Sequence, residues 1–285
     1  MYTTLISAPQ LQKLMEARSP LRVFDCSFDL MNPPAGADQY LQAHVPGALH
    51  ADLERDLSAH AGAGRASGGR HPLPTREAFA AWLAQAGVAP GVQVVVYDRQ
   101  GVNYGGRLWW MLKWCGHETV AVLDGGLQAW QATGGALEAG PVAAPAPGAF
   151  ALQAALTGTA STADIARRLG ATALTLIDAR ASARFRGEVE PLDPVAGHIP
   201  GALNRPFADN LGPDGRFKPP AQLRAEFEQL LAGRDPATVV HHCGSGVSAV
   251  PNLLAMEVAG LGRSTLYPGS WSEWCTTPGL PCAQG

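Results

Sequence analysis

Residues 239–249 read Val-Val-His-His-Cys-Gly-Ser-Gly-Val-Ser-Ala, and this stretch indicates the fold. Its apolar start predicts a short buried strand over Thr238–His241 that leads to Cys243. The two glycines that follow favour a tight turn, and a helix is expected to begin near Ser248. Pro251 fits the first turn of that helix, where its missing N–H costs nothing. A strand, a glycine turn and a helix in this order are typical of an α/β fold.

The chain repeats this organisation. His-x-Pro-Gly-Ala-Leu occurs at residues 44–49 and again at residues 198–203, and the strand before Cys243 matches one that leads to Asp98. We therefore predict two tandem domains, 1–137 and 150–285, each a parallel sheet flanked by helices. The Pro- and Ala-rich residues 138–149 are expected to be a linker.

The two halves differ in one place. The offset between matching residues is 154 at the two histidines but only 145 at Asp98 and Cys243, so the first half carries nine extra residues between these landmarks. We expect them in the Gly-rich stretch 58–72, a long loop containing His71. Such a loop would be long enough to reach the other domain.

Composition excludes several classes of protein. The 285 residues carry 21 Lys and Arg against 24 Asp and Glu, which excludes a strongly basic nucleic-acid surface. No apolar run is long enough for a membrane helix, and the first residues do not resemble a signal peptide. Five cysteines are an odd number with no disulfide pattern, so a reducing cytoplasm is expected.

Cys243 is the strongest candidate for chemistry. A thiol just before a helix faces unpaired backbone N–H groups and the positive end of the helix dipole, and both favour a thiolate. Gly244 and Gly246 let successive amides curl into an anion-binding loop with Val247, to which Ser245 and Ser248 add hydroxyls. The alternative is a buried structural cysteine.

Two other uses of this stretch are disfavoured. A phosphatase loop needs an arginine six positions after its cysteine to hold phosphate, and that position is Ala249. A metal site would use His241 and His242, but neighbouring strand residues point to opposite faces of the sheet. No second pair of ligands at zinc spacing is present, so no metal is expected.

The chain resembles the two-domain sulfurtransferases of the rhodanese family over nearly its whole length. The resemblance rests on the loop 243–249, which is similar to the 3-mercaptopyruvate sulfurtransferase form, and on four further motifs. These are Asp178-Ala179-Arg180, Arg184-Phe185, residues 197–202 and Gly269-Ser270-Trp271. In this family the first domain is inactive and usually has Asp where the second has Cys, and Asp98 matches that position. The resemblance implies no cofactor.

The resemblance also implies a mechanism. The Cys243 thiolate would take the outer sulfur of a small donor as a persulfide and pass it to a thiol or cyanide. Arg184 matches the arginine that binds the donor's anionic end. The second arginine, which usually follows in a Glu-Pro-Arg context, is absent from Glu190-Pro191-Leu192-Asp193, and Arg186 is the candidate replacement.

A proton relay is implied as well. Ser245 and His71 match the family's proposed serine and histidine, with Glu54 or Asp52 as the acid. The alternatives without a catalytic role are a surface or interdomain ion pair for Arg184 and a solvated loop histidine for His71. The expected donor is 3-mercaptopyruvate, and thiosulfate is the runner-up. A persulfide carrier that serves a partner protein is a third possibility, and a thioredoxin-like reductant is a further expected acceptor.

Overall fold

The computed structural model describes residues 1–60 and 64–285, which form two compact units. The first comprises Met1–Gly64 apart from the undescribed positions 61–63, Pro74–Leu156 and Pro213–Arg216. The second comprises Arg65–Leu73, Thr157–Gly212 and Phe217–Gly285. Part of the predicted long loop, residues 65–72, thus belongs to the second unit, and residues 61–63 of that loop lie outside the described residues. The predicted boundaries at 137 and 150 stay a prediction.

Within its described residues, the first unit has a parallel sheet of five strands in the order β1-β5-β4-β2-β3. The strands are β1 (Leu5–Ile6), β2 (Leu21–Asp25), β3 (Leu49–His50), β4 (Gln93–Tyr97) and β5 (Val120–Leu123). The helices are α1 (Ala8–Glu16), α2 (Pro34–Gln42), α3 (Arg76–Gln85), α4 (Asn103–Trp114) and α5 (Gly126–Ala132).

The described residues of the second unit repeat this topology, with five parallel strands in the order β6-β10-β9-β7-β8. The strands are β6 (Gly158–Thr159), β7 (Thr175–Asp178), β8 (Leu203–Asn204), β9 (Val239–His242) and β10 (Thr265–Leu266). The helices are α6 (Thr162–Arg168), α7 (Ser182–Phe185), α8 (Pro220–Leu231), α9 (Val250–Val258) and α10 (Ser270–Trp274). The predicted fold class is confirmed.

Each sheet is held by its own core. Every residue of β4 and β9 is buried, as expected for central strands that are covered on both faces. In the first unit Tyr97 and Trp130 pack in a cluster of aliphatic side chains, and in the second Trp271 and Trp274 occupy the corresponding core. Among the described residues, no helix is both long and apolar enough to span a bilayer.

The strand, turn and helix around Cys243 are observed with small shifts. Strand β9 extends to His242, and α9 begins at Val250, two residues later than expected, with Pro251 in its first turn. Residues 243–249 between them form the loop.

Candidate active site

The loop 243–249 starts at the carboxyl end of a central strand. Cys243 follows β9, which lies between β10 and β7, and its side chain is buried. Gly246 has a φ of +75°, and a Cβ there would lie 2.4 Å from the carbonyl oxygen of Pro268. Only glycine meets both demands, so this residue gives the loop its shape.

The loop is tied to the start of α10. The amides of Trp271 and Ser272 donate to the carbonyl oxygens of Cys243 and Gly244 at 3.0 and 2.9 Å. In return, the Cys243 amide donates to Ser270 Oγ at 3.1 Å. Ser270 adopts a φ of +54°, an uncommon conformation for a residue with a side chain. The motif Gly269-Ser270-Trp271 therefore holds the backbone of the candidate nucleophile in place.

The first unit shows what such a loop does with an anion. The Asp98 carboxylate, at the position that matches Cys243, accepts four hydrogen bonds from backbone amides at 2.8–2.9 Å. The donors are the amides of Gln100, Val102, Tyr104 and Gly105. Burial raises the pKa of Asp98 on balance, although these four donors act in the opposite direction. The loop of the first unit is thus filled by its own carboxylate.

In the second unit the residue at the matching position is a cysteine instead. Ser245 and Val247 match Gln100 and Val102, and within the described residues their N–H groups donate to no protein acceptor. An amide without a partner in a buried loop is costly unless an anion or solvent accepts from it. The loop around Cys243 is therefore suited to stabilise negative charge on sulfur.

Ser245 and His71 lie together, 174 positions apart in the chain. The distance from His71 Nδ1 to Ser245 Oγ is 2.7 Å, and both side chains are buried. His71 belongs to the segment 65–73 of the second unit. A hydroxyl held this closely by an imidazole can exchange a proton with it.

The two candidate relay acids lie in the first unit. Asp52 accepts from the amides of Glu54 and Arg55 at 2.9 Å, as a turn-capping carboxylate does. The Glu54 carboxylate pairs with His60. Their role toward His71 stays a prediction.

Arg184 lies beside the loop. Its Nε and Nη2 form a fork on Glu190, with distances of 3.2 and 2.6 Å. A Cβ built on Gly244 would lie 3.7 and 3.8 Å from the two Nη atoms of Arg184. By contrast, Arg186 is half-exposed and pairs with Glu188, and its role in donor binding stays a prediction.

Arg70 is a residue that the sequence analysis missed. Its Nη2 would lie 3.2 Å from a Cβ on Gly244, closer than either Nη atom of Arg184. Its Nη1 pairs with Asp193 at 2.7 Å. The available signal was its position next to His71 in the same extra loop. The active loop has no cationic side chain of its own, yet two guanidinium groups lie against it.

Buried charges underlie this cluster. Arg180 pairs with Asp178 at 2.7 Å and packs over the ring of Trp271. Burial raises the pKa of Asp178, but His242 and Arg180 outweigh it, so the net pKa is lowered. Burial lowers the pKa of His242, whose Nδ1 is 3.9 Å from Asp178. Arg180 thus forms a buried structural ion pair.

The fold and the loop define a class of protein. The family described as "Rhodanese-like domain" matches residues 7–133 and 161–277. The chain therefore belongs to the rhodanese family and carries two copies of its domain.

Similar proteins in that family are sulfurtransferases by name. A "Probable 3-mercaptopyruvate sulfurtransferase" of Pseudomonas aeruginosa is 48% identical over 99% of this chain and 98% of its own length. A "Putative thiosulfate sulfurtransferase SseB" of Mycobacterium tuberculosis is 41% identical over 99% and 97%. The solved 3-mercaptopyruvate sulfurtransferase SseA of Escherichia coli has a TM-score of 0.78 and 31% identity, over 95% of this chain and 100% of that one.

Proposed function

We propose that this chain transfers sulfane sulfur from 3-mercaptopyruvate to a thiol or cyanide through a persulfide on Cys243. The observation that carries the proposal is the buried Cys243 in a loop where the amides of Ser245 and Val247 have no protein acceptor among the described residues. Two guanidinium groups beside Gly244 add the charge that an anionic donor needs. The names of the similar proteins support the same chemistry.

The proposed reaction has two halves. The Cys243 thiolate attacks the sulfur of 3-mercaptopyruvate, the S–S bond forms, and the C–S bond breaks with its electron pair on carbon. The resulting enolate takes the proton that the mercapto group gives up, which yields pyruvate. A thiolate or cyanide acceptor then attacks the outer sulfur and releases the Cys243 thiolate.

Ser245 and His71 are proposed to move that proton. Their contact of 2.7 Å supports a path from the mercapto group through the Ser245 hydroxyl to His71 and back to the enolate carbon. The amides of Ser245 and Val247, which have no acceptor in the part of the chain that the structure describes, would hold the persulfide anion meanwhile.

Thiosulfate is the second candidate donor. It is favoured by the name of the 41% identical relative and by the two guanidinium groups, which would also attract a sulfonate. A persulfide carrier that serves a partner protein is less well supported, because the Cys243 side chain is buried rather than presented on the surface. A cytoplasmic location remains a proposal that rests on the odd number of cysteines.

Intact mass after incubation with each donor tests the proposal. We expect the gain of one sulfur atom in the wild type and in the exposed-cysteine control Cys282→Ser, and no gain in Cys243→Ser. Gain of sulfur by Cys243→Ser, or no gain in the wild type with either donor, would contradict it. Steady-state rates with 3-mercaptopyruvate and with thiosulfate then rank the two donors.

A further inference from the structure

We infer that Arg70 is the second guanidinium of the donor site, and that its Nε–Nη2 edge binds the carboxylate of the sulfur donor beside Arg184. The inference rests on the proposed function and assigns a specificity-determining residue to it. Arg70 would then replace the arginine that is missing after Glu190-Pro191.

The position of Arg70 is fixed by its own segment. The Arg70 amide donates to Ser272 Oγ at 3.0 Å, so its backbone is tied to the helix that also anchors Cys243. Gly69 has a φ of +83°, and a Cβ there would lie 2.5 Å from the carbonyl oxygen of Gly269. This close approach needs glycine and sets the guanidinium of Arg70 against Gly244.

The acids nearby occupy one side of each guanidinium only. Asp193 accepts from Nη1 of Arg70 at 2.7 Å, while Nε of Arg70 is buried with no hydrogen-bond partner in the described part of the chain. Glu190 occupies the Nε and Nη2 atoms of Arg184, which leaves Nη1 toward the loop. The Nε–Nη2 edge of an arginine is a two-donor fork that matches a carboxylate. Arg70 therefore presents an unused fork beside the candidate nucleophile.

The charge balance also requires Arg70. Three guanidinium groups (Arg70, Arg180 and Arg184) face three carboxylates (Asp178, Glu190 and Asp193) in one connected set of ion pairs. Without Arg70 the set would carry one net negative charge and would repel an anionic donor. Asp193 and Glu190 are almost fully buried, so solvent screens this repulsion poorly.

The local sequence explains why an arginine from elsewhere is recruited. Where the resemblance leads one to expect an arginine after Glu-Pro, this chain continues with Leu192 and Asp193. Asp193 pairs with Arg70 at 2.7 Å and contacts Arg184 at 3.4 Å. Asp193 thus holds the guanidinium groups of Arg70 and Arg184 close together, although their like charges repel each other.

A comparison of two donors tests the inference. One donor is 3-mercaptopyruvate and the other is its methyl ester, which lacks the negative carboxylate. We expect Arg70→Ala to lower kcat/KM for the acid about tenfold or more, mainly through KM, because a charge-assisted fork is lost. The ester should change by less than about twofold, since it makes no such fork. Arg70→Lys should recover part of the loss, because it restores the charge without the fork.

Controls separate this role from a structural one. Arg167→Ala removes an exposed arginine of the same unit that also pairs with an acid, and we expect it to change neither donor's kinetics. Equal losses on the acid and the ester in Arg70→Ala, or no loss on the acid, would overturn the inference. If the wild type gains no sulfur on Cys243 from the acid, the proposed function fails instead, and the two failures are thereby distinguished.

Discussion

The buried His241 provides a direct test of how burial makes the stability of this protein depend on pH. Its side chain is fully buried in β9, Nδ1 has no hydrogen-bond partner among the described residues, and Nε2 lies 3.1 Å from the sulfur of Met256. Burial lowers the pKa of His241 to about 3, and the charges of His242 and Arg205 act in the same direction. The folded protein therefore keeps this imidazole neutral in mildly acidic solution.

The consequence for stability follows from the sign of that shift. Below its ordinary pKa of 6.5 the unfolded chain takes up a proton on His241 that the folded chain refuses. The contribution of the neutral His241 to the free energy of unfolding is therefore complete above about pH 6.5, and it is lost progressively as the pH falls from there toward about 3. One pKa unit corresponds to about 1.4 kcal/mol, so at about pH 5 the loss from this residue is about 2 kcal/mol.

We predict that His241→Val removes this part of the acid sensitivity. Valine is the natural choice, since buried Val96 occupies the matching position of the first unit. The free energy of unfolding is measured by urea titration at about pH 7.5 and about pH 5 in both proteins. Between these pH values the wild type should lose about 2 kcal/mol more than the variant.

The comparison across pH cancels any packing defect, because a cavity costs the same at both pH values. The reciprocal variant, Val96→His, should gain acid sensitivity, since it places an imidazole at a buried position of the first sheet. Equal losses in the wild type and His241→Val between the two pH values would refute the reasoning.

Three further predictions concern the two loops. Asp98→Asn should lower the free energy of unfolding by about 3 kcal/mol, because the amide NH2 faces backbone donors that now lack an acceptor; a melting temperature unchanged from the wild type would contradict this. Gly246→Ala should destabilise the chain by about 2 kcal/mol or more, since it places a side chain at a positive φ and against a backbone oxygen. In the control Gly244→Ala the new Cβ contacts only the ends of side chains. Equal effects of the two substitutions on thermal unfolding would contradict this prediction. Ser245→Ala should slow pyruvate formation about a hundredfold, as expected for a lost proton-transfer group, and leave melting nearly unchanged; full activity would exclude the relay.

The local parts of this protein could be predicted well from its sequence. The apolar run before Cys243, the glycines after it and Pro251 specify a strand, a turn and a helix through interactions between near neighbours. The start of α9 was misplaced by two residues, because hydrogen bonds from Trp271 and Ser272 shape the loop, and these residues lie far along the chain.

The repeat carried more information than any single motif. It identified Asp98 as the counterpart of Cys243, and the amides around the Asp98 carboxylate then showed how such a loop holds an anion. Comparison of the two halves was possible because the sheet topology is the same in both units. Comparison of the two halves of one sequence can thus predict a candidate site.

The sequence by itself determined the α/β class, the duplication and the one cysteine that follows a strand and precedes a glycine turn. Only the tertiary structure placed His71 on Ser245 and Arg70 beside Gly244. These contacts join residues 174 positions apart in the first case, and Arg70 reaches Asp193 across 123 positions. Hydrophobic periodicity and turn-forming residues act over a few neighbouring positions. Pairs between distant residues form only when the whole chain packs and buried charges must find partners.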